Sequence, residues 1–457
     1  MKFLAVLFVG LIGLTSTPLW AQMEASVPIQ PSPAALVPAE EVERTASDRM
    51  LPPPTVSGQS YPIAVSSEER SNYLRGGIVF TGAYNDNAPG STAQHQVNDE
   101  SYAIAPSVDL QQTTPRMHYL LRYAPSFTFY QRSSSLNEND QNAAIEFEYR
   151  LSPHVTMSVH DNFQKSSNVL NQTELSPLGA VSGGTQGSNL YVLAPFADRL
   201  SNVGNVGLTY QFSQNGMVGG SGSFTNLHYP DASSVPGLID SNSQSGTAFY
   251  ARRFARRQYV GALYQYQRLV SEPTSGNNVA QTNALLMFYT VYPTAKLSLS
   301  FFGGPQRSNV EQSATIPSSS SWTPAAGASL GWQGQRTTLA ASYSHVVSGG
   351  AGLLGAVQMD SANASLFRQF TKGLSGSVAG AYIQNDTLGT KISGETNGHS
   401  VVGTGYLQQQ FGRHVSLRGG YTWLRQSYSN LATNAASPVA NQVFVGLSYQ
   451  FERAIGR

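Results

Sequence analysis

Chemistry in this chain would have to come from eight histidines, 26 acidic and 27 basic side chains and abundant serine, because its 457 residues include no cysteine. That removes disulfides, thiolate metal sites and thiol nucleophiles together. A serine hydrolase would be sought at Ser344 beside His345, or at Ser158 two residues before His160. Adjacent residues of a strand point to opposite faces, however, and isolated serines near histidines carry little specificity. There is no nucleophile elbow, phosphate loop, His-Glu metal helix or cofactor fingerprint. The expectation is therefore a protein that is not an enzyme and carries no cofactor or metal. Acidic and basic residues leave a formal net charge of +1, which gives no general attraction to nucleic acid. What remains is a set of charged and polar side chains suited to lining an interior: Asp109, His118, Arg122, Tyr130, Glu146, Glu148, Arg150, His160 and Arg418.

Whether those residues meet depends on the elements that carry them. Charged residues make up 12% of the chain, half the usual share of about 25% in soluble domains. The mean hydropathy of −0.22 is nevertheless too polar for a bundle of membrane helices. Twenty-three tyrosines and 20 phenylalanines favour strands. From Tyr73 to Phe451 apolar and polar residues alternate in runs of about ten, the length of a tilted membrane-crossing strand. In AAIEFEYRL, Ile145, Phe147, Tyr149 and Leu151 fall on one face and Glu146, Glu148 and Arg150 on the other. In VFVGLSYQF, Val443, Val445, Leu447, Tyr449 and Phe451 oppose Gly446, Ser448 and Gln450.

Connections alternate between short and long. Eight tight turns, from Thr114-Pro115 and Ser152-Pro153-His154 to Thr371-Lys372-Gly373 and Gly412-Arg413-His414, alternate with nine longer polar segments such as 166–199. This predicts an all-β fold, a transmembrane antiparallel up-and-down barrel of about 18 strands, with 16 as the alternative, over 73–457. A soluble sandwich or propeller also alternates, but its strands are usually shorter. Aromatics at Tyr84, Tyr130, Phe163, Phe212, Trp332, Phe411 and Tyr428 close the runs as an interfacial girdle would.

Pairing about the turns places Asp109 near His118 and Glu146 near His160, with Arg122, Arg150 and Glu148 in the same sector of the inner face. Later strands are expected to line the interior mainly with Ser, Thr, Gln and Gly. The cluster Arg252, Arg253, Arg256 and Arg257 falls at a short turn, where it is solvated or meets lipid phosphate or a periplasmic partner.

Residues 1–21 have the basic start, apolar middle and small-residue end of a cleaved secretory signal. Residues 22–72 carry eight prolines and are expected to form a disordered periplasmic tail, either a spacer or a tether for a periplasmic partner.

Between residues 102 and 165 the strand IAPSVDL, then RMHYLLRY, the tyrosine-rich FTFYQR, an acidic-polar loop before Asn142, and LSPHVTMSVHD together resemble the β-barrel porin family found beside exopolysaccharide secretion systems. The resemblance implies a role in moving or anchoring a surface polysaccharide, and it carries no catalytic residue with it. The expected function is a passive outer-membrane porin or export conduit for small polar solutes or polysaccharide, with outer-membrane lipid around it. The alternative is a structural or adhesive barrel with a filled lumen and ligand-binding outer loops.

Overall fold

The computed structural model describes residues 72–88, 97–168, 196–230, 238–272, 278–294, 296–311, 318–350, 354–388, 397–429 and 439–455. The expected signal segment 1–21, almost all of the proline-rich segment and most of the long connections lie outside them. The described chain forms β1 (Tyr73–Asn85), β2 (Asp99–Thr113), β3 (Met117–Tyr123), β4 (Ser126–Tyr130), β5 (Glu138–Arg150), β6 (Val155–Asn168), β7 (Phe196–Ser213), β8 (Gly216–His228), β9 (Asp240–Ala255) and β10 (Gln258–Glu272). There follow β11 (Asn278–Thr294), β12 (Leu297–Glu311), β13 (Ser319–Gln333), β14 (Thr337–Gly350), β15 (Leu354–Gln369), β16 (Leu374–Thr387), β17 (Asn397–Phe411), β18 (Val415–Tyr428) and β19 (Val439–Ala454). All pairings are antiparallel, and β19 pairs with β1 from Ala454↔Tyr73 to Gln442↔Asn85, which closes the sheet.

The segments β3 and β4 form a single stave. β3 meets β2 at Val108↔Tyr123, and β4 continues the same register at Ile104↔Phe127. The interruption falls at Ala124 and Pro125, where that register sets Pro125 opposite Pro106. Neither proline has an amide to donate, so the ladder skips this position and resumes beyond it. The result is a closed antiparallel barrel of 18 staves, as the alternation and turn spacing predict.

Alternation explains which face is which. Phe80, Tyr102, Phe129, Leu208, Tyr250, Met287, Leu407 and Val445 are exposed on the outside, while their strand neighbours turn inward. Tyr84, Phe163, Phe212, Trp332 and Phe411 are exposed on the outer face in the expected way. Tyr130 and Tyr428 are not part of a girdle: both are buried on the inner face, where the Tyr130 hydroxyl donates to Glu138 at 3.2 Å and Asn385 donates to the Tyr428 hydroxyl at 3.2 Å. Position at a strand end does not decide direction; residue parity does.

The seam between β13 and β14 is incomplete. Odd-numbered β13 amides point at β12, as when Gln333 N–H donates to Lys296 O, and even-numbered ones point at β14, as when Gly334 N–H donates to Thr337 O. Pro324 is an even position without a donor. Pairing stops at Ala326↔His345, just before Pro324 would meet Val347. Beyond that point β13 follows β12 alone to Ser319, and β14 follows β15 alone to Gly350. The Val347 amide donates instead to Gln306 Oε1 on β12, at 3.3 Å. Val346 and Val347 are both buried, as are Ala356 and Val357, although successive strand residues face opposite ways. Protein therefore covers both faces of this hairpin. β15 also comes within 8 Å, Cα to Cα, of β10, five staves away. The upper end of the β14–β15 hairpin leans into the lumen.

Candidate functional site in the lumen

The inner wall divides into a charged sector and an apolar one. In the charged sector, strand register lines up Glu452, Arg75, Asp109 and Arg122 in one row across β19, β1, β2 and β3. Acid and base alternate along this row, which crosses the seam that closes the barrel. Arg122 Nε lies 2.8 Å from Asp109 Oδ1, with the two side chains 27% and 11% exposed. Arg75 Nε lies 3.5 Å from Glu452 Oε2, with both side chains 39% exposed. The first pair is the tighter and the drier, so it contributes more than the second, whose type is worth about 0–1 kcal/mol.

The partner expected for Asp109 is therefore corrected. His118 stands opposite Thr113, and its Nδ1 lies 2.9 Å from Thr113 Oγ1. The reason is turn length: the Thr114 amide closes on Met117 O, and the register this sets pairs Asp109 with Arg122, four residues beyond His118. About the next turn, Glu146 is the Cα partner of His160 and Glu148 that of Ser158, with Glu148 also opposite His118. The Arg150 guanidinium donates to Pro115 O at 3.5 Å. Asp109, His118, Arg122, Glu146, Glu148, Arg150 and His160 thus share the inner face of β2 to β6. Tyr130 sits higher on the same side, and Arg418 lies on β18, beyond the closing seam.

Hydroxyl groups are frequent on the inner face, but many of them bond to each other across strands: Ser221 to Thr247 at 2.7 Å, Ser223 to Ser245 at 2.6 Å, Thr290 to Ser300 at 2.8 Å, Ser344 to Ser361 at 2.7 Å and Ser416 to Ser448 at 2.6 Å. The expectation that later strands line the interior mainly with such groups needs correction. Phe249, Leu263, Leu286, Phe288, Met359 and Ile383 all point inward and are buried in one cluster with Val346 and Val357 of the inward-leaning hairpin. Leu286 is 0% and Phe288 2% exposed. Each such side chain contributes roughly 1.5–3 kcal/mol on burial, so this side of the lumen is a packed core. Its signal was present in the sequence as ALLMFYTVY on β11, an apolar run broken only by Thr290 rather than an alternating one. Such runs mark strands buried on both faces.

Ser344 and His345 do not assemble into a hydrolase site, and the Ser158 hydroxyl, although on the same inner face as His160, makes no hydrogen bond to it. Ser344 faces inward to Ser361, whereas His345 faces outward, with Nδ1 2.8 Å from Asp360 Oδ1 and Nε2 3.1 Å from the Gln358 amide. Among the described residues no group of three or more His, Asp or Glu side chains could hold a metal ion.

The fold and its lumen define a closed 18-stranded antiparallel barrel. No protein-family profile matches the chain, and no curated protein matches it. Among solved structures it is similar to OccK2 (OpdF) of Pseudomonas aeruginosa, at 10% identity and a TM-score of 0.41 over 84% of this chain and 98% of that one. It is also similar to OccAB4 of Acinetobacter baumannii, at 8% identity and 0.41 over 84% and 99%. The FrpB iron transporter of Neisseria meningitidis aligns at 10% identity and 0.41 over 85% and 83%.

Proposed function

We propose that this chain is an outer-membrane channel for small polar solutes, whose path runs along the charged sector between β1 and β7 and past the inward-leaning β14–β15 hairpin. The observation that carries this reading is the pairing of a closed sheet with opposite faces. Large apolar side chains stand exposed all round the outside, while ion pairs and hydroxyls line the charged side of the lumen. Water is a poor solvent for that outer surface and hydrocarbon a good one, and pairing β19 with β1 removes the free edges of the sheet, the far part of the β13–β14 seam apart. In this reading the eight short turns face the periplasm, residues 1–21 direct export, and 22–72 form a periplasmic tail available to a partner. The loose likeness to porins found beside exopolysaccharide secretion supports polysaccharide as one cargo class.

The second reading, a structural or adhesive barrel, draws support from one specific feature: the packed apolar side of the lumen and the hairpin leaning on it narrow the bore. Single-channel recording in a planar bilayer separates the two. A channel gives discrete conductance steps, reduced relative to an unobstructed barrel of this strand number; a filled barrel gives none.

A further inference from the structure

The inner-face arginine on β18 is held differently from Arg75 and Arg122. Arg75 and Arg122 have carboxylate partners in Glu452 and Asp109, whereas Arg418 makes no ion pair among the described residues. Its Nε is buried without a hydrogen-bond partner. The guanidinium is held by aromatic rings instead: Cζ lies 3.6 Å from the Tyr406 ring centroid and 5.5 Å from that of Phe444.

The sequence builds this cradle through Gly420. In strand register Tyr406, Gly420 and Phe444 form one row across β17, β18 and β19, and Gln408, Arg418 and Gly446 form the next. A Cβ on Gly420 would lie 2.5 Å from Phe444 Cζ and 2.8 Å from Tyr406 Cβ. The absence of a side chain there lets the two rings close over the position, and Arg418, two residues before it, lies against them. Gly446 on the other flank likewise presents no side chain beside the guanidinium. Stacking fixes the plane of the fork, so its N–H edges meet an incoming group without first losing rotamer freedom. On the remaining flank the Gln408 amide donates to Ser416 Oγ at 3.4 Å, and its carbonyl oxygen is the acceptor this side chain can offer a hydroxyl.

We propose that Arg418, held by Tyr406 and Phe444 and flanked by Gln408, is a binding site for small hydroxylated organic carboxylates in the lumen. A planar carboxylate matches the guanidinium fork with two parallel hydrogen bonds, and it supplies the counter-charge that this arginine lacks. The site rests on the reading of the barrel as a solute channel, because it deepens that reading by giving the path a preferred charge class.

The experiment is calorimetric titration of the folded full-length barrel in detergent with galacturonate and with galactose, which differ at one carbon by a carboxylate. Wild-type protein is expected to bind galacturonate at least tenfold more tightly than galactose. Arg418→Gln should lose that tenfold preference with galactose unaffected, and Arg418→Lys and Tyr406→Leu should each weaken galacturonate several-fold, since one loses the fork and the other its support. Equal binding of the two sugars by wild type, no binding of either, or an unchanged preference in Arg418→Gln would overturn the proposal. If Arg418→Gln does not give a heat-modifiable folded barrel, the Arg418→Lys comparison decides in the same way. Binding is read here without any current. A barrel that binds galacturonate but never conducts therefore counts against the channel alone, and one that conducts without discriminating counts against this site alone.

Discussion

Pro324 on β13 stands where the register would place it opposite Val347 on β14, and the seam between these strands ends two residues short of that meeting. The Val347 amide has turned to Gln306 of β12 instead. Replacing Pro324 with Thr restores a donor on the β14-facing edge, so the ladder can extend and draw the hairpin toward the wall. The expected outcome is larger single-channel conductance, with heat-modifiable gel mobility retained. Unchanged conductance would mean that apolar packing alone holds the hairpin in.

That packing makes its own prediction. Leu286 points inward and is fully buried among Leu263, Phe288 and their neighbours. Leu286→Ala is expected to destabilise the barrel by about 2–5 kcal/mol, the range for emptying a packed core site. A fall in the urea midpoint of the refolded protein in detergent would register it. If the lumen were open and wet at this point, the change would be less than about 1 kcal/mol.

The row of alternating charge at the closing seam allows two ion pairs of one wall to be compared. A double-mutant cycle on Asp109 and Arg122 is expected to give a coupling of about 1–2 kcal/mol, and one on Arg75 and Glu452 only about 0–1 kcal/mol, because the second pair is longer and more exposed. Both are read from denaturant midpoints. A larger coupling for the second pair would contradict the burial argument.

At the β17–β18 turn Gly412 has φ of +67°, in the left-handed region that side chains avoid. Gly412→Val is expected to cost on the order of 1 kcal/mol or more, and Gly412→Asn distinctly less, since asparagine tolerates this conformation. Folding yield into lipid vesicles, followed by gel mobility, would rank the variants. Equal yields would place the turn outside the part of the sheet that limits assembly.

Much of the fold was legible because its determinants are local. The two-residue rhythm of AAIEFEYRL sets which side of β5 faces in, and turn residues such as Ser152-Pro153-His154 mark where a hairpin reverses. Strand number follows from counting these. The sequence by itself thus determined a closed, alternating sheet, and it placed Asp109, Arg122, Glu146 and Arg418 on a common face. Pairing was another matter. Asp109 meets Arg122 rather than His118 because register depends on how the 114–117 turn closes, and one hydrogen bond there moves every partner by several residues. The apolar run of β11 hinted at a packed side of the lumen, but only tertiary structure decided it, since Leu286 and Val357 become core when the hairpin bends across to cover them. It also decided that Arg418 has aromatic rings rather than an acid for company. Tyr406 and Phe444 are respectively 12 residues before and 26 after it in the chain, and only the sheet brings them into one row.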